Sequence, residues 1–161
     1  MSHFELELSG PYFAPGNEPQ NAIIQFINDS INTIQVASYH LTDFKIVNAL
    51  IAAKNKGIPV EIIIDQASEK WQAFKNLCNQ NLPVWVFHHE EGKNLMHNKF
   101  LTCQHPEKEW VGLGSYNFTY NAATHHDNIL FLDDVYVVKE YKDKFDVIKE
   151  ISDRLDIEMN D

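Results

Sequence analysis

The sequence predicts an α/β fold: a mixed β-sheet flanked by helices on both faces. Three observations predict it. Strand-like runs alternate with stretches of helical periodicity along the chain. The run PVEIIID at 59–65 is β-branched and nearly all apolar, as a largely buried strand is. The length of 161 residues is one ordinary domain with room for one core, so 1–161 is expected to be a single domain.

The elements follow in order. FELEL at 4–8 alternates and suits an edge strand, and PYFAPG is a short strand or turn. Asn17 to Gln20 resembles a helix start, with Asn as cap and Gln three residues on. Ile23, Phe26, Ile27 and Ile31 then recur at helical spacing. TIQVASY at 33–39 is strand-like. Thr42-Asp43 opens a second helix with Ile46, Val47, Leu50 and Ile51 on one face, closed by Gly57 and Pro59. After strand 59–65, Ser68 is expected to start a third helix carrying Trp71, Phe74, Leu77 and Cys78. PVWVF at 83–87 is a strand, and HHEEGKN a polar loop. KFLTC, EWVGLG and NILFL are three further strands. A last helix runs from about Asp134, with Val138, Tyr141, Phe145, Ile148, Ile151 and Leu155 at three- and four-residue steps.

Composition narrows the class. Hydrophobic residues make up 44% and charged residues 22%, as in a soluble globular protein. No run approaches the roughly 18 apolar residues of a membrane span. The opening MSHFELELSG has neither a basic nor an apolar signal region, so no secretory signal is expected and the cytoplasm is the simplest location. Cys78 and Cys103 fit no metal or redox spacing and are expected to be small buried side chains. The net charge of −10 disfavours a protein that grips long nucleic acid non-specifically. Yet residues 133–161 carry ten acidic side chains against five basic ones, half of the excess, so another face can be neutral or basic.

The chemistry concentrates between Met96 and Asn128. Residues 97–104 read H-N-K-F-L-T-C-Q, and residues 114–117 read G-S-Y-N. Residues two apart in a strand share a face, so His97 and Lys99 project together, about 6–7 Å apart along the backbone. Ser115 and Asn117 repeat that spacing after a glycine. An imidazole serves as nucleophile or acid/base near neutral pH. An ammonium, a hydroxyl and an amide hold non-bridging phosphate oxygens and stabilise a pentavalent transition state. Each residue also has a plainer reading. Alone, His97 would be a surface histidine, Lys99 a solvated charge, Ser115 and Asn117 turn residues, and Asp127 a polar strand start. His88, His89, His125 and His126 tempt a zinc reading. Adjacent histidines point apart in extended chain, and neither C-x-x-C nor H-E-x-x-H is present, so no metal site is expected and these rings should line the pocket or face solvent. The tryptophans and phenylalanines are taken as core and not as base-stacking platforms.

At these residues a resemblance becomes specific. His97-x-Lys99, with Met96 before it and Phe100-Leu101 after, followed by Gly114-Ser115-x-Asn117-Phe118-Thr119, resembles the HKD motif of the phospholipase D superfamily. The similarity extends through 34–39, 49–57 and 60–65. Asp127-Asn128 resembles a further family position, whose acid orients the nucleophilic histidine. Two departures stand out. The aspartate of the motif falls on Gln104, and the turn between that position and Gly114 is longer than usual, which is inexpensive in a hairpin.

The resemblance implies a homodimer, because the family places two motif copies around a two-fold axis and this chain has one. It implies a metal-independent phosphodiesterase with no cofactor. His97 would attack phosphorus and form a phosphohistidine, and the second copy's His97 would protonate the leaving oxygen. Lys99, Ser115 and Asn117 would bind the phosphate, and Asp127 would orient the ring of His97. Small single-motif members tend to be nucleases, so an endonuclease acting on DNA or RNA is the first reading. A phospholipid hydrolase of the cardiolipin type is the second, without stable membrane insertion. A catalytically weak module that binds nucleic acid or phosphate, favoured by Gln104 and the charge, is the third.

Overall fold

The computed structural model describes residues 8–155. Eight strands form one sheet in the order β1-β7-β6-β5-β2-β3-β4-β8. They are β1 (Tyr12–Phe13), β2 (Ile34–Ser38), β3 (Val60–Asp65), β4 (Val84–Phe87), β5 (Lys99–Gln104), β6 (Glu109–Gly114), β7 (Asn128–Leu132) and β8 (Asp153–Arg154). Strands β2, β3 and β4 are parallel, and every other pairing is antiparallel. The sheet is therefore mixed, as the sequence predicts.

The period-two alternation of the central strands divides two cores. Ile34, Val36, Ile62, Ile64, Leu101 and Cys103 face one side. There they meet helices α1 (Glu18–Asn28), α2 (Phe44–Asn55) and α3 (Gln72–Asn79) through Ile23, Ile27, Ile46, Leu50 and Leu77. Ala37, Ile63, Phe100 and Val111 face the other side and meet α4 (Val135–Glu150) through Val138, Phe145 and Ile148. Every residue of β2 is buried, because both of its faces are covered. Cys103 is buried within β5, and Cys78 is half-buried on α3.

Several helix boundaries differ from the sequence expectation, each for a local reason. Asn17 sits at the start of α1, but its side chain makes no capping bond. Gln20, its expected partner, is buried and donates to the carboxylate of Asp43. That carboxylate caps α2, accepting from the backbone of Lys45 and Ile46 at 2.8 and 3.3 Å. Ser68 does not start a helix. Its hydroxyl accepts from the Leu41 backbone N–H at 3.1 Å, and it closes a short 3-10 turn, Gln66–Ser68. Helix α3 begins only at Gln72, with Trp71 before it and 45% exposed. Helix α4 ends at Glu150, and Asp134 caps its start through the Val137 N–H at 3.0 Å. Ile151 is exposed beyond the helix end, and the chain turns into β8, which pairs with β4. The strand expected over 4–8 lies outside the described residues, Leu8 excepted.

Candidate active site

Strand register decides where the motif residues meet. The pairs Ser38↔Lys99, Phe100↔Leu113 and Gly114↔Ile129 bring the end of β2, the start of β5, the end of β6 and the start of β7 to one edge of the sheet. This is also the carboxyl end of the parallel strands β2 and β3, where open α/β sheets place their crevices. His97 lies two residues before β5, and Lys99 is its first residue. The Lys99 ammonium lies 3.2 Å from His97 Nδ1 and donates to the His97 carbonyl at 2.9 Å. The two side chains thus converge as the spacing predicts. The Tyr39 ring backs both, 4.7 Å from the His97 ring and 5.9 Å from the ammonium.

The second half of the motif is fixed by the β6–β7 junction. Ser115 and Tyr116 donate their backbone N–H groups to the Asn128 carbonyl at 3.0 and 3.1 Å, and the Ser115 hydroxyl accepts from the Asn128 N–H at 3.1 Å. Ser115 is exposed, and its hydroxyl proton is not used in that bond. Asn117 borders a cleft of about 560 Å³ whose other walls include His40, Thr42, Trp71, Tyr120 and His125. The Asn117 Oδ1 and His40 Nδ1 atoms are buried and find no protein partner. Orphaned buried polar atoms are uncommon, and two beside one crevice mark it as a site. Trp71 and Tyr120 are exposed on its rim, and for Trp71 this is contrary to the expectation that the tryptophans are core.

Charge at this edge is finely opposed. Burial, and then the Lys99 ammonium, hold His97 below its ordinary pKa, against an upward pull from Asp65. Burial lowers Lys99, and Asp127 opposes it. Burial also lowers His40. The Asp127 carboxylate acts on Lys99 and on the Tyr116 phenol. The ring hydrogen bond of His97 is made with Lys99, and none joins it to Asp127 among the described residues of this chain. Gln104 stands at the other end of β5, roughly 17 Å from Lys99 at strand rise, where its amide donates to the His105 carbonyl at 3.2 Å. The substituted motif position is therefore remote from the His97–Lys99 pair.

The four tempting histidines separate. His88 lies between Glu69 at 3.3 Å and Asp153 at 2.9 Å. His89 neither faces solvent nor lines the cleft: it is folded against the buried Asp65. His125 does line the cleft, and His126 is exposed. Among the described residues, no three His, Cys, Asp or Glu side chains form a group that could hold a metal. Sequence reasoning missed Tyr39, His40, Asp65 and His89. The one signal available was their position at the carboxyl ends of parallel strands.

Comparison with known proteins decides the family. The family model described as cardiolipin synthase, PLD-like domain, matches residues 23–149. This chain belongs to the phospholipase D superfamily. A phospholipase D of Rickettsia bellii is 27% identical over 130 residues, 76% of this chain. That alignment covers 62% of the relative's length, so this chain spans less than two thirds of it. Among solved structures, the phospholipase D family member Nuc of Salmonella typhimurium superposes with a TM-score of 0.79 at 19% identity, covering 92% of this chain and 97% of that one. NucT of Helicobacter pylori superposes with a TM-score of 0.77 at 22% identity, covering 89% and 96%. The described residues contain no helix long and apolar enough to cross a membrane.

Proposed function

We propose that this protein is a metal-independent phosphodiesterase, an endonuclease acting on DNA or RNA through a phosphohistidine on His97. The observation that carries the reading is the convergence of His97 and Lys99, 3.2 Å apart, with Ser115 and Asn117 at the same sheet edge. In the first step the unprotonated His97 attacks phosphorus, and the P–O bond to the leaving group breaks. Lys99, Ser115 and Asn117 hold the non-bridging oxygens as charge builds there. A second copy of the chain supplies the other histidine, which donates its proton to the leaving oxygen. In the second step that histidine takes a proton from water, the hydroxide attacks the phosphohistidine, and His97 is released. The two rings titrate as a coupled pair. Asp127 serves by holding Lys99 charged, and it orients the ring of His97 only once the second copy is docked.

The full chain is read as one domain of a cytoplasmic homodimer. A nucleic-acid substrate is compatible with the net charge of −10 because half of that excess lies in 133–161. The description of the matching family model and the rickettsial relatives favour one other reading, hydrolysis of a phospholipid such as cardiolipin.

The test is hydrolysis of bis(p-nitrophenyl) phosphate in excess EDTA, wild type against His97→Ala. Turnover should survive the chelator and fall by about 10³-fold or more in the variant. Equal rates in both proteins would end the His97 assignment. Single-stranded DNA, RNA and cardiolipin vesicles, assayed in parallel, then separate the nuclease from the lipid reading.

A further inference from the structure

The Asp65 carboxylate is fully buried at the end of β3 and is held from three sides. Its Oδ1 accepts from the Ala67 N–H at 3.0 Å, and its Oδ2 accepts from the Met96 N–H at 3.0 Å. The His89 Nε2 lies 3.0 and 2.9 Å from the two oxygens. On its other side, His89 Nδ1 lies 2.8 Å from the Glu90 carbonyl oxygen. The His89 N–H is also tied down, donating to the Gln66 side chain at 2.9 Å. One carboxylate therefore clasps both ends of the 89–96 loop, and the residue after that loop is His97.

The donor count fixes the state of the ring. A neutral imidazole has one N–H and one lone pair. With the proton on Nε2, the Nδ1 lone pair would face the Glu90 oxygen. With the proton on Nδ1, the Nε2 lone pair would face both carboxylate oxygens. An imidazolium satisfies both contacts. Moving its Nε2 proton onto Asp65 would keep the same contacts, but two backbone N–H donors already favour a carboxylate there, so the ring holds the proton as an imidazolium. It also gives the buried carboxylate the countercharge that such a group requires.

We propose that His89 is a positioning residue for His97: as an imidazolium locked on Asp65, it fixes the loop that delivers the nucleophile. This rests on the reading of His97 as the nucleophile, but the state of the ring is independent of it. The Glu90 carbonyl, and then Asp65, hold His89 above its ordinary pKa, with burial opposing. Asp65 also faces His40 and His97 and favours the charged form of each, while Lys70, Lys99 and His97 oppose charge on His40. The contribution of the His89–Asp65 pair is complete below about 6.5, the unfolded value of histidine, and is lost as pH rises through the higher folded value.

Long-range proton–nitrogen spectra of the ¹⁵N-labelled protein read the ring directly. At about pH 7, just above the ordinary histidine value of about 6.5, both His89 nitrogens should carry the imidazolium signature. A neutral-tautomer pattern would overturn the proposal. His89→Gln, neutral at every pH, should lower kcat by about 10- to 100-fold with KM held within about twofold, as misplacing a catalytic group does. His89→Lys, which restores a cation, should recover most of that loss. A glutamine variant as active as wild type, or a lysine variant no better than glutamine, would refute the positioning role. If His89→Gln does not fold, the wild-type spectrum and His89→Lys decide. If wild type hydrolyses no diester, the functional reading has failed separately, and placement is read from the Overhauser contact between the His97 and Tyr39 rings. That contact should persist in wild type and His89→Lys and vanish in His89→Gln, and its survival in all three refutes the proposal.

Discussion

Replacing Gly114 with alanine would push a methyl group into the backbone of the neighbouring strand. A Cβ there meets the Asn128 carbonyl oxygen at 2.2 Å, with the Asn128 carbonyl carbon and Ile129 Cα each at 3.0 Å. Cβ atoms essentially never come within 3.0 Å of a neighbour, so β6 and β7 must part by about 0.8 Å at this pair. Backbone cannot swing aside as a side chain can. The φ of 158° adds strain for an alanine, of the order of 1–3 kcal/mol. The same Asn128 accepts the Ser115 and Tyr116 N–H groups and donates to the Ser115 hydroxyl. Each such bond contributes about 1 kcal/mol. The total is about 4–6 kcal/mol, which for a domain of this size lowers Tm by about 8–24 °C. Diester hydrolysis measured below the new melting point should also fall, because Ser115 and Asn117 follow the displaced strand. Gly57→Ala supplies the control. Its φ of 89° is strained for alanine, but a Cβ there meets nothing within 4 Å. Circular dichroism melts of the two variants separate strain from collision. If Gly114→Ala melts within about 2 °C of Gly57→Ala and keeps its kcat, the collision argument is wrong.

Two further outcomes follow from the same geometry. Gln104→Asp, which restores the family's motif residue, sets a carboxylate directly across from Glu109 at the remote end of β5. It should cost about 0.5–1 kcal/mol in a denaturant titration and change kcat by less than about twofold; a large gain in rate would show that Gln104 limits catalysis. Because burial and Lys99 both lower the pKa of His97, its unprotonated form persists into more acid solution. The acid limb of kcat/KM should therefore lie below about 6.5, and Lys99→Met should move it upward; a downward move would contradict the electrostatic assignment.

Much of the fold was legible in the chain. The β-branched run at 60–65, the alternating strands and the amphipathic final helix fixed a mixed sheet with covered faces, because burial periodicity is a local property. Helix ends were less legible. Gln20 and Ser68 look like capping residues, but both spend their polar groups on partners more than twenty positions away, Asp43 and Leu41. The same limit applies to Trp71 and Tyr120, whose apolar character says nothing about whether a neighbouring element covers them.

The candidate site divides along the same line. The spacing of His97 and Lys99, and of Ser115 and Asn117, is written in the sequence, and His97 and Lys99 do meet. That the two sets share one edge depends on the Phe100↔Leu113 register, and that Tyr39 and Asp65 join them depends on the parallel pairing of β2 with β3 and its antiparallel pairing with β5. The sequence by itself determined the fold class and the motif spacing that makes His97, Lys99, Ser115 and Asn117 the candidates. Only the tertiary structure decided that Gln104 stands remote from the site, that His89 is folded against the buried Asp65, and that one carboxylate clasps the loop before His97. Those facts rest on contacts between residues far apart in the chain, which no local pattern encodes.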